Sequence, residues 1–196
     1  MIIIPMAGLS SRFKKEGYSL PKYMLKAHGK TLFEHSVLSF KEYFDDEFFL
    51  FVARDISNTE EFIRAKCQQL RIKNFKIFIL SHETRGQAET VFLPFKQQKS
   101  IEDVPITIFN IDTFRPGFKY QTNLLNYDGF LEVFEGQGDN WSFVKTKNKN
   151  STEVSETAEK NRISNLCCTG LYHFKSLTDY VESYLNFLEM PKEEWQ

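Results

Sequence analysis

Only three cysteines occur in 196 residues: Cys67, Cys167 and Cys168. An odd count without framework spacing excludes a disulfide scaffold and points to a reducing compartment. Adjacent on a strand, Cys167 and Cys168 would face opposite sides of it. With no His or further Cys at useful spacing they read as packing residues, not metal ligands. Net charge is almost absent as well. The 25 basic and 26 acidic residues leave −1, so there is no bulk attraction for nucleic acid or an anionic membrane. Any polyanion must be met by a local cluster of charge. No stretch approaches the roughly 20 apolar residues of a membrane span. The opening apolar run is too short for an export signal and has no basic segment before it. A soluble, cytoplasmic protein is the expectation, which makes Asn150-Ser151-Thr152 a chance match to a glycosylation acceptor. His28, His35, His82 and His173 share no metal or triad spacing, and no internal repeat is visible.

What is present is aromatic and alternating. Hydrophobic residues make up 41% of the chain and 20 residues are Phe, enough for one domain with an aromatic core. Ile2 to Pro5, Phe48 to Val52, Phe75 to Leu80 and Pro105 to Ile111 read as buried strands. Lys30 to Phe44, a segment capped by Asn58 or Thr59, and Gln87 to Gln97 (shortened or kinked by Pro94) read as helices. Continuous apolar strands separated by helices predict an α/β fold with a mostly parallel sheet covered on both faces. Ligands of such sheets bind beyond the carboxyl ends of the strands. In the second half, Phe130 to Phe134 and Trp141 to Lys145 read as strands joined by a Gly136–Gly138 turn. Residues 146–165 read as a polar surface flap, Cys168 to Phe174 as a strand, and Leu177 to Leu188 as an amphipathic helix. Trp195 beside the chain end raises the expectation of further C-terminal chain.

Four segments carry candidate chemistry. The first strand runs into Ala7, Gly8, Leu9, Ser10, Ser11 and Arg12, then reaches Pro21 and Lys22. A small, hydroxyl-bearing loop offers backbone N–H groups to a polyphosphate. Arg12 can grip phosphate oxygens bidentately, and Lys22 can act as a point charge. The alternative is a solvated loop, which is how Lys14 and Lys15 read. The loop is neither a Walker A nor a GxGxxG sequence. At Arg85-Gly86-Gln87-Ala88, a glycine before a helix lets a flat base lie against backbone, or simply starts the helix. Asp112 ends a buried strand, poised to hold a hard cation or to cap a turn with Thr113. In the flap, Lys160 competes with Lys145 and Lys147, or is only solvated.

Gly8-Leu9-Ser10-Ser11-Arg12 followed by Pro21-Lys22 resembles the G-x-G/S-x-R…PK signature of the sugar-1-phosphate nucleotidyltransferase family. Ser10 or its neighbours stand where the commonest form has a second glycine. The resemblance spans Met1 to about Phe174 and implies a Rossmann-like (GT-A type) fold. It implies that Gly86, Gln87 and Ala88 read the base, with Arg85 near base or phosphate. It also implies that Asp112 ligates Mg²⁺ on the triphosphate, and that Lys160 contacts the acceptor phosphate, for which Gly170 leaves room. No second acidic metal ligand of the family is matched before Gln196. The Pro5–Phe13 and Ser19–Leu25 stretches look closest to a capsule-biosynthesis branch, which implies CTP as nucleotide and L-glutamine phosphate as acceptor. The implied reaction is nucleotidyl transfer with release of pyrophosphate. Rival readings are a true sugar-1-phosphate nucleotidyltransferase and a non-catalytic nucleotide-binding regulatory domain. A homodimer stays open as the assembly.

Overall fold

The structure is a computed structural model that describes residues 1–98 and 100–191. Trp195, and with it the expectation drawn from the chain end, lies outside the described residues. Five α-helices and ten strands occur among the described residues, with three short 3₁₀ turns at Lys22–Met24, Leu38–Tyr43 and Thr122–Leu124. In chain order the strands are β1 Ile2–Pro5, β2 Lys26–Ala27, β3 Lys30–Thr31, β4 Phe48–Arg54, β5 Asn74–Leu80, β6 Ile106–Phe109, β7 Gly129–Glu135, β8 Ser142–Thr146, β9 Val154–Glu159 and β10 Leu166–Phe174. The helices are α1 Ser11–Lys15, α2 Leu32–Val37, α3 Thr59–Leu70, α4 Gln87–Phe92 and α5 Leu177–Glu189.

The main sheet runs β5-β4-β1-β6-β10-β8-β9, with β7 paired to β10. Its first four strands are parallel and the rest antiparallel. The expected mixed α/β sheet with helices on both faces is what forms. Its period-2 alternation sorts the side chains. Ile2, Ile4, Phe49, Phe51 and Ala53 join one core with Phe33, Phe40 and Phe109 under α2 and α3. Ile3, Leu50 and Val52 join the other with Val91, Phe92, Tyr180 and Tyr184 under α4 and α5. Burying each of the larger of these side chains from water contributes about 1.5–3 kcal/mol.

Several elements differ from the sequence reading. The helix expected to Gln97 ends at Phe92, where Pro94 cannot continue the backbone ladder. The helix expected from Lys30 starts at Leu32 and tightens into a 3₁₀ turn kinked at Phe40. The hairpin expected between β7 and β8 does not form, because β10 inserts between them and pairs with both. The 146–165 flap is partly regular: β9 pairs antiparallel with β8 and buries Ala158. The sparse apolar residues there hid a strand that needs to bury only one face. Cys167 and Cys168 are both buried on β10, as packing residues.

Candidate active site

The cleft at the carboxyl ends of the parallel strands has a volume of about 340 Å³. Three separate segments line it: Ala7, Gly8 and Leu9 after β1, Gly86 and Gln87 at the start of α4, and Asp112 after β6, with Lys22 between them. Parallel topology explains the convergence, since β1, β5 and β6 all deliver their following loops to the same edge.

At the centre, the Lys22 Nζ donates to Asp112 Oδ2 at 2.6 Å. The lysine side chain is 23% exposed and the aspartate 51%, so the pair faces the cleft. Ser10 sets the lysine. It adopts a left-handed backbone (φ 53°), and its Oγ accepts from the Lys22 backbone N–H at 3.1 Å. Pro21, extended at φ −54° and ψ 143°, then starts the Lys22–Met24 turn. Ser10 thus ties the loop to Lys22. Around Gly8 and Gly86 there is open space, with no atom within 4 Å of where a Cβ would stand. The backbone there is free to meet a ligand closely.

Asn110 is a cleft residue that sequence reasoning passed over. Its Oδ1 accepts from Gln87 Nε2, which orients the Gln87 amide. Its Nδ2 occupies the space over Gly170, where a Cβ would stand only 2.4 Å away. Gly170 therefore makes room for Asn110, not for an acceptor. The Asn-x-Asp spacing at the end of β6 was the available signal. Thr84 and Glu83 also line the cleft. Thr84 shares a hydroxyl hydrogen bond of 2.7 Å with Thr90. Glu83 is ion-paired with Arg54 at the end of β4, at 2.7 Å.

Other expected site residues lie elsewhere. Arg85 donates to Glu89 at 3.1 Å and to the Tyr184 hydroxyl at 2.9 Å, which turns it toward α5 and away from the cleft lining. The neighbouring guanidinium helps to hold the Glu89 carboxyl below its ordinary range against the opposing effect of burial. The Ala88 carbonyl accepts from Tyr180 at 3.0 Å. Ser11 and Arg12 are exposed on the short α1 and do not line the cleft. Lys160 follows β9 at the far edge of the sheet, 3.3 Å from Glu159. Among the described residues no group of three or more His, Cys, Asp or Glu side chains could cage a metal ion. No helix among them is long and apolar enough to cross a membrane.

An open α/β sheet whose carboxyl-end cleft joins a glycine loop, a lysine and an aspartate has the arrangement in which α/β domains bind nucleotides. No protein-family model and no curated protein matches the chain. Among solved structures it is similar to the nucleoside-diphosphate-sugar pyrophosphorylase from Vibrio cholerae RC9. The identity is 55%, covering 100% of this chain and 82% of that one, with a TM-score of 0.95. The inositol-1-phosphate CTP transferase from T. maritima shares the fold at 16% identity, covering 91% of this chain and 71% of that one, with a TM-score of 0.70. UDP-glucose pyrophosphorylase in complex with UDP-glucose shares it at 15% identity, covering 92% and 77%, with a TM-score of 0.68. The chain belongs to the nucleotidyltransferase family of the Vibrio pyrophosphorylase.

Proposed function

We propose that the chain is a cytidylyltransferase. It would transfer CMP from CTP to L-glutamine phosphate and release pyrophosphate, in the cytoplasmic synthesis of a capsular phosphoramidate group. The observation that carries the transfer reaction is the Lys22–Asp112 pair facing the cleft beside the Gly8 loop. The choice of CTP and glutamine phosphate is supported by the resemblance of Pro5–Phe13 and Ser19–Leu25 to the capsule-biosynthesis branch.

The residues fit a hard cation. Asp112 presents one half-exposed carboxylate to the cleft, and Mg²⁺ is commonly held by one or two carboxylates plus substrate phosphates. Asp112 would hold it, and when bound the ion would neutralise charge on the phosphates. Lys22, released from Asp112, turns to the reacting phosphate. Backbone N–H groups of Ala7, Gly8 and Leu9 cradle the triphosphate. Gly86 and Gln87 provide the surface for the base, with Gln87 oriented by Asn110. Arg12 is assigned to the leaving pyrophosphate and Lys160 to the acceptor. Both are exposed side chains outside the cleft lining, so both must reorient on binding. A phosphate acceptor is already ionised at pH 7, so its oxygen attacks the α-phosphorus without a general base. Catalysis then rests on positioning and charge neutralisation.

A second reading, synthesis of a nucleoside diphosphate sugar, is favoured by the name of the 55%-identical relative. One panel separates them. Each of the four ribonucleoside triphosphates, and dTTP, is offered with Mg²⁺ and either L-glutamine phosphate or hexose 1-phosphates, and pyrophosphate is measured. Release with CTP and glutamine phosphate supports the proposal. Release only with UTP or dTTP and a sugar phosphate replaces it, and no release under any pairing points to a regulatory binding domain.

A further inference from the structure

We propose that Glu83, held by Arg54, selects the base of the nucleotide, favouring the exocyclic amino group of cytosine over the carbonyl of uracil. The proposal rests on the reading of the cleft as a nucleoside triphosphate site. Glu83 follows β5 and Asp112 follows β6, and both line the cleft. In the order β5-β4-β1-β6 their strands stand three spacings apart, about 14 Å at about 4.8 Å per strand. A triphosphate is drawn to Lys22 and the β1 loop. With the phosphates held there, the nucleoside end extends toward the β5 side of the cleft, where Glu83 lies. The open backbone at Gly86, three residues on, leaves room for a flat ring there.

Arg54 is the ion-pair partner of the carboxylate. Its Nη1 lies 2.7 Å from Glu83 Oε1, and its side chain is 15% exposed against 65% for Glu83. The arginine is thus the anchored member and the glutamate the presented one. The Arg54 Nε is buried with no hydrogen bond, so the guanidinium makes its polar contact through the end it shows to Glu83. Glu83 Oε2 has no partner among the described residues. A carboxylate oxygen only accepts hydrogen bonds. Cytosine offers N4–H₂ to it, whereas uracil offers O4, another acceptor, and the two repel. The same logic lets Glu and Asp read cytosine edges in nucleic acids.

Calorimetric titration with the Mg²⁺ complexes of CTP, UTP and 2′-deoxy-CTP tests this without an acceptor. The wild-type protein is expected to bind CTP at least about ten-fold tighter than UTP, the contribution of one charge-assisted hydrogen bond. In E83Q that ratio should collapse toward unity while thermal unfolding stays in place. In R54K, where the charge remains but the planar fork is lost, the ratio should fall partway. Equal wild-type affinity for CTP and UTP, a preference for UTP, or an unchanged ratio in E83Q overturns the inference while leaving the nucleotide site intact. If E83Q instead alters discrimination between CTP and 2′-deoxy-CTP, Glu83 reads the ribose and the inference fails. Absence of binding by every triphosphate fails the nucleotide reading itself.

Discussion

Asn110 joins three segments that are distant in sequence. Its backbone N–H donates to the Gly170 carbonyl at 3.0 Å, its carbonyl accepts from Ser36 at 3.1 Å, and its side chain holds Gln87. Gly170 makes this possible, at φ 95° and with no side chain. In Gly170→Ala the new methyl meets Asn110 Nδ2 in a backbone region that L side chains rarely adopt. We expect a loss of about 1–3 kcal/mol in chemical denaturation, together with weaker nucleotide binding as Gln87 is released. Asp112→Asn should behave in the opposite way. The Lys22–Asp112 pair is partly solvent-exposed, and such pairs contribute at most about 1 kcal/mol. Thermal unfolding should therefore stay nearly constant while metal-dependent pyrophosphate release is abolished. A fully active Asp112→Asn would remove the carboxylate from the site.

Among the elements, α2 is held by a capping box. Thr31 Oγ1 accepts from the Glu34 N–H at 3.2 Å, and Glu34 Oε2 accepts from the Thr31 N–H at 2.8 Å. Thr31→Ala should destabilise by about 1 kcal/mol, a melting shift of about 2–4 °C for a chain of this size. Burial raises the Glu34 carboxyl, but the Thr31 hydrogen bonds and Lys66, at 3.1 Å, outweigh it and hold the carboxyl below its ordinary value. A carboxyl lowered in the fold stabilises above its unfolded value and loses that contribution as pH falls through its folded one. The stability gap between wild type and Glu34→Gln should thus be full at pH 7 and shrink below about pH 4, as acid titration of unfolding would show. The same local chemistry shows how far motif reading reaches. The strand β6 and the Asp112 that follows it were legible because a buried apolar run and a polar stop are close in the chain, although the strand ends at Phe109 and not at Ile111. The β7–β8 hairpin was misread because a glycine turn is a local signal, and the insertion of β10 between the strands is not.

For the whole molecule, the parallel strands β1, β4 and β6 lie between two aromatic cores, while β8 and β9 carry ion pairs on solvent-facing sides. Hydrogen exchange should accordingly be slowest at Ile2–Ile4 and Phe49–Val52 and much faster through 147–159. Equal protection in the two regions would contradict this division. The balance of 25 basic and 26 acidic residues, the alternating apolar strands and the Gly8…Lys22 loop all follow from neighbours in the chain, because composition, periodicity and backbone freedom are local properties. They were enough to indicate an α/β sheet with a glycine loop at its carboxyl edge. Three-dimensional packing had to decide the rest. Arg85 was turned to Tyr184, Ser10 was bound to Lys22, Gly170 was occupied by Asn110, and Arg54 was brought under Glu83. Each of those outcomes depends on which strands become neighbours, and strand order is set by burying two core faces at once, a condition no short segment contains.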